Sequence, residues 1–178
     1  MSDQELLQND PDSIKYRKNA DNLIILGTGV IVFGFWSIVK IVAQFALNIS
    51  FYDESLVDDM DPIGIIFVTV FVILFYAGDM AIRLIVGLGA RAEGRDVQKR
   101  KKRRPRKTYL VFNVWLIVFS IISVIIAVNV FITSDALTFN NMISLFMELS
   151  SLIILLELFI SALYVRKYRR EHKETEGM

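Results

Sequence analysis

Two ionisable residues four positions apart, Asp79 and Arg83, interrupt the apolar stretch "PIGIIFVTVFVILFYAGDMAIRLIVGL". On a helix that spacing places a carboxylate and a guanidinium on one face, where they can pair. The last apolar stretch carries Glu148 and Glu157, and the first carries Lys40 with Gln44 one turn beyond it. Charged side chains are costly in hydrocarbon, so these positions are candidates for holding an assembly together or for handling an ion. Asp79, Glu148 or Glu157 can carry protons if protonation changes their pairing. Lys40 or Arg83 can hold an anion, or lock one state against a carboxylate.

The same spacings exclude other chemistry. Glu148 and Glu157 are nine residues apart, which puts them on nearly opposite helix faces and about 13 Å apart in height. They do not form one compact acid–base pair. The chain has no cysteine and one histidine, His172 in the polar tail, so thiolate chemistry, disulfides and histidine-cluster metal centres are excluded. Carboxylate-metal bundles draw on Glu-x-x-His contributions that are absent, and no Ser-His-Asp set is present. No catalytic residue, metal ligand or cofactor is expected.

Helical register sorts the polar residues into two layers. Lys40 lies about 10 Å below the acidic end of its helix, beside Ser37 and Gln44, and Glu148 falls at a similar depth. They can form a structural ion pair, or Lys40 can snorkel outward past a neutral Glu148, or both can serve a substrate or ion. Asp79, Arg83, Glu157 and Asn113 form the second expected layer. Arg83 is also long enough to snorkel toward the nearest surface.

The elements that must hold these residues are legible in the distribution of apolar residues. The 178-residue chain is 54% hydrophobic, with a mean hydropathy of +0.48. Its apolar residues gather at 23–47, 62–88, 109–132 and 141–165. Each run exceeds the roughly 20 residues a helix needs to cross a hydrocarbon core. β-Branched residues in these runs favour strands in water, but open sheet edges cannot be satisfied in lipid. The fold class is therefore all-α, a polytopic four-transmembrane-helix bundle. Residues 1–22 are too polar for a secretory signal, and the first run reads as a retained span.

The formal net charge of +1 conceals a segregation of signs. The connection "NISFYDESLVDDMDP" is acidic, whereas "KRKKRRPRK" and "RKYRR" are basic. Basic residues flanking spans favour the cytoplasmic side. Both termini (1–22 and 166–178) and the basic loop 89–108 are thus expected in the cytoplasm, at a plasma membrane or a bacterial inner membrane. Lys99, Arg100, Lys101, Lys102, Arg103, Arg104, Arg106 and Lys107 are expected to contact anionic lipid. Nucleic-acid binding is not expected, because no reading element or stacking platform accompanies the basic string.

Local signals complete the plan. Asp61 before Pro62 suits a helix cap and first turn, and Asn140 or Asn141 suits a cap for the last helix. Tyr52, Tyr109, Tyr164 and Tyr168 suit interfacial anchors. Gly27 and Gly34, seven residues apart, share a face and permit close helix approach. The cluster Gly87, Gly89, Ala90, Ala92, Gly94 marks either a frayed helix exit or a packed joint. The expected function is a small accessory or structural subunit, assembling with itself or another membrane protein through intramembrane polar and small-residue contacts. The alternative is an ion- or proton-coupled small-solute transporter or channel subunit. That role calls for an oligomer, because four helices leave little room for a water-lined path.

Overall fold

The computed structural model describes residues 11–46, 61–99, 107–133 and 139–175. They form four helices: α1 (Pro11–Ala46), α2 (Pro62–Gln98), α3 (Thr108–Thr133) and α4 (Phe139–Thr175). All four carry apolar segments long enough to cross a membrane, and the fold is a polytopic bundle of transmembrane helices. At 1.5 Å per residue, the 37 residues of α2 or α4 extend about 55 Å, well beyond a hydrocarbon core of roughly 30 Å. Both helices therefore project past the apolar layer.

The start of α2 follows from its sequence. The Asp61 side chain accepts from the Gly64 backbone N–H at 2.9 Å, and Pro62 takes a first-turn position where no amide donor is required. The helix then continues beyond Leu88 to Gln98, closing with a bond from the Lys99 N–H to the Arg95 carbonyl at 3.0 Å. Ten residues expected in the basic loop are thus helical. At the other connection, α4 begins at Phe139, so Asn140 and Asn141 lie inside its first turn rather than capping it.

The helices pack as a ring in which α1 touches α2 and α4, and α3 touches α2 and α4. The α1–α2 contact is the most extensive, and its cause is a seam of small residues repeating every seven positions. Ala20 meets Gly94, Gly27 meets Gly87, and Gly34 meets Arg83 and Met80, so numbers rise on one helix as they fall on the other. A Cβ on Gly87 would stand 2.5 Å from the Gly27 carbonyl oxygen, and one on Gly94 would stand 2.6 Å from that of Ala20. Only a residue without a side chain lets the backbones approach this closely. On the adjoining face of α2, Gly89 admits the Tyr109 side chain, whose Cβ would lie 2.6 Å and whose ring Cγ 2.8 Å from a Cβ built there. The small-residue cluster is therefore a packed joint, and the frayed-exit reading falls.

Packing is uneven along the bundle axis. The core residues Ala20, Leu23, Val30, Val86, Ala90, Val97, Tyr109, Leu116, Leu155, Leu158, Ala162 and Val165 all lie toward the end that carries the basic residues. Toward the opposite end no residue of 62–85, 121–129 or 142–150 is buried. Side chains such as Phe67, Phe71, Leu74, Ile125 and Phe146 remain exposed there, as lipid-facing residues do in a bilayer.

The seam makes a direct prediction. Gly87→Ala forces the α1–α2 backbones apart and lowers the thermal unfolding midpoint in detergent, by an overpacking cost of about 1–3 kcal/mol. Gly78, which has nothing within 4 Å of a built Cβ, provides the control. Gly78→Ala leaves the midpoint unchanged or higher.

Candidate functional site within the bundle

The polar residues inside the bundle are arranged by α2 and α4. Arg83 projects from α2 toward α4, its Nε donating to Asp79 Oδ2 at 2.8 Å and its Nη1 to Ser151 Oγ at 2.9 Å. The pair follows from the i, i+4 spacing on one helix. The bond to Ser151 links two helices that do not pack extensively against each other. Arg83 is thus turned inward rather than snorkelling to the surface.

These residues form one side of a cavity of about 380 Å³ that reaches all four helices. Phe33, Trp36 and Ser37 enter it from α1, and Tyr76, Asp79 and Arg83 from α2. Trp115, Phe119, Ser120 and Ser123 come from α3, and Ser144, Met147, Glu148 and Ser151 from α4. The cavity lies where the close packing of the basic end gives out. Trp115 and Phe119 line it in tilted contact, their ring centroids 4.2 Å apart and their planes at 47°. Ser120 is 3% exposed, and its Oγ has no hydrogen-bond partner.

The structure therefore regroups the residues singled out by sequence. Glu148 lines the same cavity as Asp79 and Arg83, although helical register had assigned it to the other layer. Glu157, expected beside Asp79 and Arg83, is exposed on the outer face of α4, among the exposed Ile153, Leu156 and Ile160. Asn113 is fully buried and donates through Nδ2 to the Leu155 carbonyl at 3.2 Å, tying α3 to α4. Its Oδ1 is left without a hydrogen-bond partner. The side chains of Lys40 and Gln44 lie outside the described residues, as do Arg100, Lys101, Lys102, Arg103, Arg104 and Arg106. Lys99 and Lys107, at the ends of the basic string, are exposed. Gly27 and Gly34 are both buried against α2.

A second polar cluster, not anticipated from sequence, closes the basic end. Arg166 of α4 holds Glu93 of α2 with two bonds, Nε to Oε1 at 3.2 Å and Nη2 to Oε2 at 3.0 Å. The Glu93 side chain is only 3% exposed. The guanidinium also lies over the Tyr109 ring, 5.5 Å from its centroid, within cation–π range. Tyr109 is consequently a buried packing residue and not a lipid-interface anchor. Further out, Tyr16 stacks on Tyr168 with centroids 4.4 Å apart and accepts from Arg169 Nε at 3.0 Å. Gln98 donates to Asp21 at 2.8 Å. The only sequence signal for this cluster was one carboxylate, Glu93, amid the small residues of α2. Arg166 was read for its charge alone.

Compared with protein-family models, curated proteins and solved structures, the chain matches none. Fold and site together define an integral membrane protein, a four-helix membrane-spanning bundle with a polar-floored cavity among its helices.

The Glu93–Arg166 pair yields a test of its own. Arg166→Ala leaves a buried carboxylate without its partner and costs about 3–5 kcal/mol. The double variant Glu93→Gln/Arg166→Met recovers much of that loss. Unfolding midpoints of the two variants, measured in the same detergent, give the comparison.

Proposed function

We propose that this bundle is a small accessory or structural subunit of a membrane assembly, docking a neighbour on the outer face of α4. The observation that carries this reading is Glu157, exposed on an apolar helix face with no ion pair among the described residues. An intramembrane carboxylate facing lipid is costly, and a polar or basic group on a second copy or another membrane protein would remove that cost. The small-residue contacts are already spent within the chain, on the α1–α2 seam. They build the subunit, and α4 is left to meet its neighbour.

The proposed orientation places both termini and the basic string in the cytoplasm, with Lys99 to Lys107 against anionic headgroups. Each basic residue near such a surface contributes about 1 kcal/mol of attraction. Because the chain has no cysteine, single cysteines report orientation cleanly. Lys101→Cys reacts with an impermeant maleimide only after the cytoplasmic face is opened, whereas Glu54→Cys reacts in intact cells.

A second reading, an ion- or proton-coupled small-solute transporter or channel subunit, draws support from the cavity and its two carboxylates. Purification in native lipid followed by intact-complex mass measurement separates the two. The assembly reading expects a second copy or a partner protein with the wild type, and its loss in Glu157→Leu. A lone monomer from native membranes would sink it. The transport reading expects flux in vesicles of purified protein, abolished by Asp79→Asn while the complex persists.

A further inference from the structure

The cavity holds more negative than positive charge among its described residues. Its acidic and basic side chains are Asp79, Glu148 and Arg83, with the Tyr76 phenol beside them. Arg83 is already engaged, through Nε with Asp79 and through Nη1 with Ser151. Glu148 has no ion pair among the described residues. The walls beside these groups are aromatic, including Trp36, Trp115 and Phe119. Aromatic faces attract cations and repel anions. The Ser120 Oγ, enclosed without a hydrogen-bond partner, adds a polar group to the wall that accepts from an N–H donor as readily as it donates its own proton.

From this combination we infer that the cavity is a binding site for a protonated amine with an aromatic or otherwise apolar body. The ammonium group donates to the Glu148 carboxylate and to serine hydroxyl oxygen, and the apolar body lies against the tryptophan rings. A cavity of about 380 Å³ falls at the small end of the usual range for ligand sites of about 300–1,000 Å³. An amine with a single ring is the matching size. A carboxylate or sulfonate ligand would face Glu148 with its own charge, while the one guanidinium is held by Asp79. The site stands independently of the docking face on α4, since Glu157 lies outside the cavity.

The chain's two tryptophans both line the cavity, so intrinsic fluorescence reports occupancy directly. The full chain is placed in nanodiscs of uncharged phosphatidylcholine and titrated with 2-phenylethylamine, 2-phenylethanol and 3-phenylpropanoate. These share a phenyl body and differ in head group. The amine gives a saturable change in emission. The alcohol binds at least about tenfold more weakly, as loss of a charge-assisted hydrogen bond implies, and the carboxylate gives no saturable response. Glu148→Gln weakens amine binding by about tenfold or more while keeping the wild-type helical circular dichroism. Glu157→Gln leaves amine binding unchanged. Equal binding of amine and alcohol, preference for the carboxylate, no saturable response, or an unaffected folded Glu148→Gln protein would each overturn the assignment.

Discussion

A charged group inside hydrocarbon has no water to turn to, and this chain meets that constraint with the reach of two arginines. Arg83 and Arg166 both span the α2–α4 diagonal, where the helices share little packing of their own. Arg83 joins Asp79 on its own helix to Ser151 on the other, while Arg166 clasps Glu93 with two parallel bonds. A guanidinium suits this role because its planar fork offers several donors at the end of a long stem. The diagonal is thereby bridged without an extensive α2–α4 packing surface. Space is left among the helices for a cavity at one level and for the Tyr109 ring at another.

The glycine seam sets where that space can open. Between Arg83 and Gly94, Gly87 and Gly94 let α2 approach α1 and Gly89 admits Tyr109, so the basic end condenses into a core rich in buried small and branched residues. Above Arg83 the composition of α2 changes to phenylalanine, isoleucine and valine, which stand out from the helix and meet lipid. Without a hydrophobic driving force between helices in a membrane, small-residue contact and polar bonds decide which segments close. The Asp79–Arg83–Ser151 group sits at the boundary between the closed and open halves. It forms part of the cavity wall while pinning the end of the close-packed region.

Burial divides the two glutamates of α4 between distinct environments. Glu148 turns inward to the cavity, and Glu157, nine residues on, faces outward among aliphatic side chains. A single helix thus presents one carboxylate to the bundle interior and another to its outer face. The two positions are separated on opposite sides of α4, so a change at one need not propagate to the other through shared contacts.

Much of this architecture was legible in the chain itself. Four apolar runs longer than a bilayer crossing require helices, because lipid leaves backbone groups no other partner, and Asp61-Pro62 marks the start of α2 by local chemistry alone. The Asp79–Arg83 bond was likewise available from spacing, since i and i+4 lie on one face whatever surrounds them. Helical register also separated Glu148 from Glu157. It did not assign either one to the interior, and it grouped Glu157 with Asp79 when Glu148 is the residue that shares their cavity. The length of α2 was also missed, because glycines beyond Leu88 read as a fraying end until a neighbouring helix fills the groove they leave. The Glu93–Arg166 clasp joins residues 73 positions apart, and no local pattern encodes which helices stand diagonally across a bundle. Covalent spacing determines what a helix presents on each of its faces. Which face turns inward depends on how closely the other three helices can approach, and that was settled only by the packing of the whole chain.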